Sequence, residues 1–431
     1  MRKNLKPMAA RSKHAHPNRL FFRRQTSSPG VSQMHAEGRL LVLCARLTIN
    51  DFIRVEIEDL VSGALDWDMV WRLSRVHGVT PLVYRTLSAI CPTAVPSAIH
   101  DVFRRRIQAN ALLNTLLAKE LVAVLDALAA KGVRAIPFKG VTLAQTAYGD
   151  LSLRECADLD LIVDQASIPQ ARQVLWSQGY QLTSQDMGDG KESDEPYHFF
   201  QRKNGIVAVD LQWIMARRHF GFRLDRGVFW DRLKPVHLPT KMVMGLCPED
   251  LLILLCVHGS KHAWEQLKWT CDVAELVRRR PTLDWSRILF QADEWGCRRM
   301  VLLGLGMAKS LFDIVLPRAV LHEIEADVDI PTLVRLMPKQ LLKSSGQGID
   351  EDCAEALYVT LKDSWWERWK LGVALCRAES DTITRPLPWF RFQRRLRGLF
   401  VCLKPLHSFA SKCVPSVRMR QAVVRWLQSA N

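Results

Sequence analysis

The chain has 431 residues, of which 48% are hydrophobic and 24% are charged. This composition is typical of a globular protein with a packed core, and it excludes collagen-like, coiled-coil and wholly disordered chains. The formal net charge is +16, but residues 34–383 carry only −2 because the excess lies in residues 1–33 and 384–431. Nucleic acid is therefore not expected as a partner of the folded part.

The eleven cysteines are scattered along the chain and include no Cys-x-x-Cys pair. This pattern indicates reduced thiols and predicts a cytoplasmic protein rather than a disulfide framework. No apolar run approaches the roughly 18–20 residues that a membrane-spanning helix requires.

Residues 1–36 are predicted to be a disordered basic leader, since they show no sustained apolar period. They also lack the apolar segment of a secretory signal. Met34 is an alternative start of translation to Met1. Residues 37–131 are predicted to form an N-terminal helical region. Its last part, 98–131, is predicted to be one amphipathic helix, because apolar residues such as Leu112 and Leu117 recur at helical spacing before Gly132.

The sequence period changes after Gly132, and residues 132–245 are predicted to form an α/β core. Strands are expected at 134–138, 158–163, 197–202 and 206–212, with helices at 141–148 and 167–178. The predicted fold class is α+β, in which a small mixed-sheet core is flanked by N-terminal and C-terminal helical regions.

Residues 246–345 are predicted to form a C-terminal helical domain, with helices at 248–262, 265–280, 284–296 and 298–313. Residues 346–431 are predicted to be a helical, basic and aromatic-rich tail. Two hypotheses apply to residues 384–431: peripheral contact with an anionic membrane, or a terminal helix docked on the body with a solvated basic face.

Three acids form the strongest chemical signal of the sequence. Asp158 and Asp160 are two residues apart in a predicted strand, so their side chains project from the same face. Asp210 lies in an apolar strand, where a carboxylate is costly to bury without a partner. Carboxylates held side by side repel one another unless a cation neutralises them, and Mg²⁺ or Mn²⁺ prefers such oxygen ligands.

Three carboxylates on neighbouring strands could hold two metals about 3.5–4 Å apart, which is an arrangement for phosphoryl chemistry. Upstream, Lys139-Gly140 lies where a predicted strand meets a helix, which is a position suited to binding phosphate. An isolated Asp-x-Asp pair more commonly caps a turn or faces solvent. The order of all these motifs along the chain favours the metal interpretation.

Several segments resemble the uncharacterised bacterial nucleotidyltransferase family of the DNA polymerase beta-like nucleotidyltransferase superfamily. The resemblance covers roughly residues 37–315. The segments that carry it include Phe138-Lys139-Gly140, 148–154, Asp158-Leu159-Asp160, Asp210-Leu211-Gln212-Trp213, 246–251, 256–264 and 272–276.

The resemblance implies that Asp158, Asp160 and Asp210 are catalytic and bind metal, and that Lys139 and Gly140 bind phosphate. Lys-Gly departs from the Gly-Ser phosphate motif of the superfamily. Gln212 is a second departure, because histidine is expected there in this family.

Other residues are assigned less directly. Arg154 either contacts the nucleotide phosphates or pairs with Asp158 or Asp160, and Lys261 is a further phosphate-binding candidate. His258 and His262 resemble half a zinc site, but residue 259 is glycine rather than glutamate and no third ligand follows. The favoured interpretation is that Lys261, His258, His262 and Trp264 line the cleft, or that His258 packs internally.

The resemblance therefore predicts transfer of a nucleoside monophosphate from an NTP to a hydroxyl or amine acceptor, with release of pyrophosphate. The expected partners are Mg²⁺ or Mn²⁺, an NTP and an unidentified small-molecule or protein acceptor. One alternative is a catalytically silent nucleotide-sensing or assembly protein on the same fold. Another is a template-independent polymerase, which would require a basic groove.

Overall fold

The computed structural model describes residues 34–183, 197–202, 205–213, 229–342 and 357–363. Helices flank a mixed five-stranded sheet, which confirms the predicted α+β class. Most of the predicted leader, most of the predicted tail and the whole segment of the membrane hypothesis lie outside the described residues. No helix among the described residues is long and apolar enough to cross a membrane.

From residue 34 onward, five helices precede the sheet: α1 (Ala36–Cys44), α2 (Asp51–Val61), α3 (Trp67–Val76), α4 (Thr80–Ile90) and α5 (Ser97–Ala129). The side chains of His35, Asn50 and Asp66 accept hydrogen bonds from backbone N–H groups in the first turns of α1, α2 and α3. These contacts satisfy donors that a helix start leaves unpaired.

The long helix α5 is confirmed to within two residues at each end, but its buried face differs from the predicted one. Leu112 is 74% exposed, whereas Asn110 and Asn114 are buried. The Asn114 amide donates to the Leu151 and Arg154 carbonyl oxygens at 2.5 and 2.8 Å. The helix therefore uses polar side chains to hold the loop that leads into the site.

The main sheet contains β1 (Ala135–Pro137), β2 (Leu159–Val163), β3 (Tyr180–Leu182), β4 (Tyr197–Arg202) and β5 (Ala208–Gln212), in the order β1-β2-β5-β4-β3. The pair β2–β5 is parallel and the other pairs are antiparallel. Helix α6 (Gly140–Leu143) continues into a π-helical turn, Ala144–Tyr148, and α7 (Ile168–Ser177) follows β2. Two further strands, β6 (Lys234–His237) and β7 (Met242–Gly245), form a separate antiparallel hairpin.

Between residues 246 and 342, six helices follow the hairpin: α8 (Pro248–Lys261), α9 (Leu267–Arg279), α10 (Trp285–Glu294), α11 (Arg298–Phe312), α12 (Arg318–Ala326) and α13 (Ile330–Leu341). The first four were predicted, and their boundaries differ by no more than two residues. The seven cysteines of the described residues are free thiols.

The core determines which face of the sheet carries polar groups. Leu159, Leu161 and Leu211 pack in one cluster with apolar residues of α5 and α7. Successive strand residues point to opposite faces. Asp160 and Asp210 therefore project from the other face of the sheet.

Candidate active site

Asp160 and Asp210 are brought together by strand register. They are directly paired across the parallel strands β2 and β5, so their side chains project from the same face of the sheet. Asp158 lies one residue before β2 and is near enough that the charge of Asp160 affects its pKa. We refer to Asp158, Asp160 and Asp210 as the carboxylate cluster.

Gln212 links two members of the carboxylate cluster. Its amide nitrogen Nε2 donates to Asp160 Oδ1 at 3.3 Å and to Asp210 Oδ2 at 2.5 Å. The other oxygen of Asp210, Oδ1, is buried and has no hydrogen-bond partner in the described part of the chain. An unpaired buried oxygen on an acid is costly unless a ligand completes its contacts.

Burial raises the pKa of two of the three acids. Burial and, next, the charge of Asp160 raise the pKa of Asp158 to about 6. The same two causes raise the pKa of Asp210 to about 7, while Lys139 acts in the opposite direction. The cluster therefore contains more negative charge than its protein neighbours offset, which is the condition that a bound cation relieves.

Lys139 places an ammonium group in direct contact with the cluster. Its Nζ lies 2.7 Å from Asp160 Oδ1, and the two side chains are 10% and 5% exposed. Nζ also donates to His258 Nδ1 at 3.4 Å. This contact requires Nδ1 to be unprotonated, because an ammonium group can only donate.

The backbone around Lys139 is held in place. Gly140 has φ +54°, and a Cβ at this position would lie 3.2 Å from the Asp158 carbonyl oxygen. Thr142 Oγ1 donates to the Lys139 carbonyl oxygen at 2.7 Å. The Lys-Gly motif thus packs directly against the acid-bearing segment, which explains why a glycine follows the lysine.

Arg154 pairs with a residue that the sequence did not suggest. Its guanidinium makes a bidentate ion pair with Asp272 of α9, with Nε–Oδ1 and Nη2–Oδ2 distances of 2.9 and 3.0 Å. Tyr148 Oη donates to Asp272 Oδ1 at 2.7 Å. We call Tyr148, Arg154 and Asp272 the ion-pair cluster, and in it Arg154 joins the loop before β2 to the helical region.

The ends of α8 and α9 form the helical side of the site. The rings of His258, His262 and Trp269 lie together, with centroid distances of 4.7–5.4 Å. Burial and the charge of Lys139 keep the pKa of His258 well below its usual value. Burial and the charge of Lys261 lower the pKa of His262 to about 4.

Trp264 is not a cleft residue, which corrects the sequence-based assignment. It is 1% exposed, and its ring fills the space beside Gly259 and Gly304, where an added Cβ would lie 2.6 and 3.0 Å from ring atoms. Trp264 lies just after the end of α8, and its backbone has a φ of +57°. Lys261, at the last position of α8, is half-buried.

Within the described residues, no group of three or more His, Cys, Asp or Glu side chains is arranged to hold a metal ion. The half zinc site considered for His258 and His262 thus gains no third ligand there. The carboxylate cluster nevertheless has the chemistry that fits a divalent cation: oxygen donors, two raised pKa values and the unpaired Asp210 Oδ1.

Sequence reasoning missed the contributions of Gln212 and Asp272. Gln212 is two residues from Asp210 in a strand, so a shared face could have been predicted. Asp272 lies among apolar residues of an amphipathic helix, which signals a buried acid that needs a partner. Its partner Arg154 is 118 positions away in the chain, and no local pattern identifies such a pair.

The comparison with protein families gives the class of the molecule, a nucleotidyltransferase. The chain belongs to the family described as uncharacterised nucleotidyltransferase, whose model matches residues 63–313, more than half of its length. Membership supports a general role in nucleotidyl transfer. A search of curated proteins found no match.

Among solved structures, the chain is similar to an antigenic nucleotidyltransferase-like protein from Paracoccidioides brasiliensis. The two are 15% identical, with a TM-score of 0.30, and the alignment covers 49% of this chain and 96% of that one.

Proposed function

We propose that this protein transfers a nucleoside monophosphate from an NTP to a hydroxyl or amine acceptor and releases pyrophosphate. The observation that carries the proposal is the direct pairing of Asp160 with Asp210 across two parallel strands, with Asp210 Oδ1 left unpaired. Asp158, Asp160 and Asp210 would hold Mg²⁺ or Mn²⁺. The bound metal would supply positive charge that stabilises the developing negative charge of the leaving pyrophosphate.

The side chains of the site have distinct roles in this reaction. The acceptor oxygen or nitrogen attacks the α-phosphorus, and the bond between this phosphorus and the bridging oxygen breaks. Asp210 also takes the acceptor's proton in this proposal, which is the role of a general base. Lys139 and the backbone at Gly140 bind the triphosphate, and Lys261 is a second phosphate ligand.

Arg154 acts as a positioning residue in this proposal. Its ion pair with Asp272 fixes the loop that ends at Asp158, so it would influence the reaction through the carboxylate cluster. His258 and His262, both favoured in their neutral forms, complete the helical wall of the site. We also propose a cytoplasmic location, in keeping with the free thiols of the described residues.

The test is pyrophosphate release by Asp210→Asn with each of the four NTPs, Mg²⁺ or Mn²⁺, and a panel of hydroxyl and amine acceptors. We expect a loss of at least about a hundredfold, since a group that organises transition-state charge is removed. Folding should be preserved, because the neutral side chain matches the form that burial favours.

Asp164→Asn is the matched control, because this acid directly follows β2 and pairs with the exposed Arg134. It should keep wild-type turnover. Equal turnover in Asp210→Asn and the wild type would overturn the assignment. Nucleotide binding without pyrophosphate release by the wild type, across the whole panel, would favour the nucleotide-sensing alternative.

A further inference from the structure

Lys139 occupies a position in the carboxylate cluster that a metal ion would also use. Its ammonium lies 2.7 Å from Asp160 Oδ1, and both side chains are almost completely buried. The Gln212 amide donates to the same oxygen and to Asp210 Oδ2. A cation that binds Asp160 through Oδ1 must therefore displace the lysine, because two positive groups cannot share that oxygen without strong repulsion.

The charges of the cluster are only partly offset by Lys139. Its single positive charge faces three carboxylates, and Lys268 adds a weaker favourable interaction with Asp158. Arg154, which also lies near Asp158, is already paired with Asp272. A divalent cation matches this excess better than one ammonium group, so the exchange is electrostatically favourable.

The Lys139 side chain can move while its backbone stays fixed. The close packing of Gly140 against the Asp158 carbonyl and the Thr142 hydrogen bond hold the main chain. The side chain has a flexible four-carbon stem that ends in a compact charge. His258 Nδ1, at 3.4 Å from Nζ, offers a second acceptor when the ammonium leaves Asp160.

On the basis of the proposed function, we propose that Lys139 is a tethered cation that exchanges with the metal. It neutralises Asp160 in the metal-free protein, and it turns to the triphosphate when the metal and nucleotide bind. Lys139 thus weakens metal binding in the absence of nucleotide and favours the joint binding of metal and nucleotide. The exchange makes binding of metal and nucleotide mutually dependent.

The test measures free Mn²⁺ by electron paramagnetic resonance during titration of the full-length protein without nucleotide. Lys139→Met should bind Mn²⁺ about tenfold more tightly than the wild type, because a close charged competitor is removed. Lys241→Met is the matched control, since Lys241 makes an exposed ion pair with Asp126 at 2.6 Å. It should bind Mn²⁺ as the wild type does.

A second titration adds a non-hydrolysable NTP analogue. The analogue should tighten Mn²⁺ binding more in the wild type than in Lys139→Met, because only the wild type transfers an ammonium group to the phosphates. Lys139→Arg, which keeps the charge, should resemble the wild type without nucleotide. If Lys139→Met does not fold by thermal melting, Lys139→Gln serves as the neutral variant with the same expected tightening.

Unchanged or weaker Mn²⁺ binding by the folded neutral variant, measured without nucleotide, would overturn the exchange. This result is separable from the fate of the proposed function. Tighter binding by the neutral variant in a protein that releases no pyrophosphate would support the exchange and refute only the transfer reaction. Normal pyrophosphate release by the wild type, together with unchanged Mn²⁺ binding by the neutral variant, would support the transfer reaction and refute only the exchange.

Discussion

The carboxylate cluster and the ion-pair cluster flank the same short segment between Tyr148 and Asp160, yet their charges are completed differently. In the ion-pair cluster, Asp272 accepts from two nitrogens of Arg154 and from Tyr148. In the carboxylate cluster, Asp210 Oδ1 has no hydrogen-bond partner among the residues that the structure describes, and the ammonium group of Lys139 contacts Asp160.

This difference separates a structural role from a chemical one. Buried charges that are fully paired hold elements together, and a second ligand would gain little there. Buried acids that have raised pKa values and an oxygen without a hydrogen-bond partner are typical of sites that bind a ligand or take part in a reaction. Sequence alone left Arg154 between binding of the nucleotide phosphates and pairing with Asp158 or Asp160, whereas the tertiary structure pairs it with Asp272.

The largest expected effect on stability breaks the ion-pair cluster. Asp272→Asn should lower the free energy of unfolding by about 3–5 kcal/mol, since it leaves the Arg154 guanidinium buried without a counter-charge. Urea denaturation measures the change. The control is Asp101→Asn, which removes an exposed ion pair with Arg104 and should cost less than about 1 kcal/mol. Equal effects of the two substitutions would contradict the structural role.

The buried side chain of His77 extends the comparison to the dependence of stability on pH. Burial, opposed by a hydrogen bond to the Glu265 backbone, lowers the pKa of His77 to about 4. Between pH 6.5 and 4 the unfolded state binds this proton and the folded state does not. Stability should therefore fall as pH decreases through this range, by about 3 kcal/mol from His77.

His77→Gln isolates this contribution from those of the other titrating groups. The difference in unfolding free energy between variant and wild type should change with pH in that window and be constant above pH 7.5. A constant difference throughout the range would show that His77 is not buried in its neutral form.

The smallest effect concerns the backbone beneath the carboxylate cluster. Gly140→Ala should cost about 1–2 kcal/mol for its positive φ, plus the displacement of Asp158 that a Cβ 3.2 Å from its carbonyl requires. Gly132→Ala is the control, because φ is +72° and nothing lies within 4 Å of the added Cβ. Urea denaturation should rank Gly140→Ala below Gly132→Ala in stability.

The reverse order of these two glycine variants would mean that the Lys-Gly turn is not rigid. The backbone at Lys139 would then move together with its side chain. The site would no longer combine a fixed main chain with an exchangeable ammonium group.

Local patterns predicted much of the fold. Helical spacing identified α5 and α8–α11 to within about two residues, because amphipathic periodicity is a property of consecutive residues. The hairpin β6–β7 and strand β3 were not predicted. They are three or four residues long, which is too short for an alternating pattern to be distinctive.

By itself, the sequence determined that Asp158 and Asp160 are neighbours and that an acid in the strand of Asp210 needs a partner. These conclusions follow from the two-residue period of a strand and from the cost of burying charge. Only the tertiary structure decided that β2 and β5 are adjacent and in register, that Arg154 pairs with Asp272 and that α5 buries Asn114 while exposing Leu112. The physical reason is that these contacts join residues far apart in the chain, where their geometry depends on how whole elements pack.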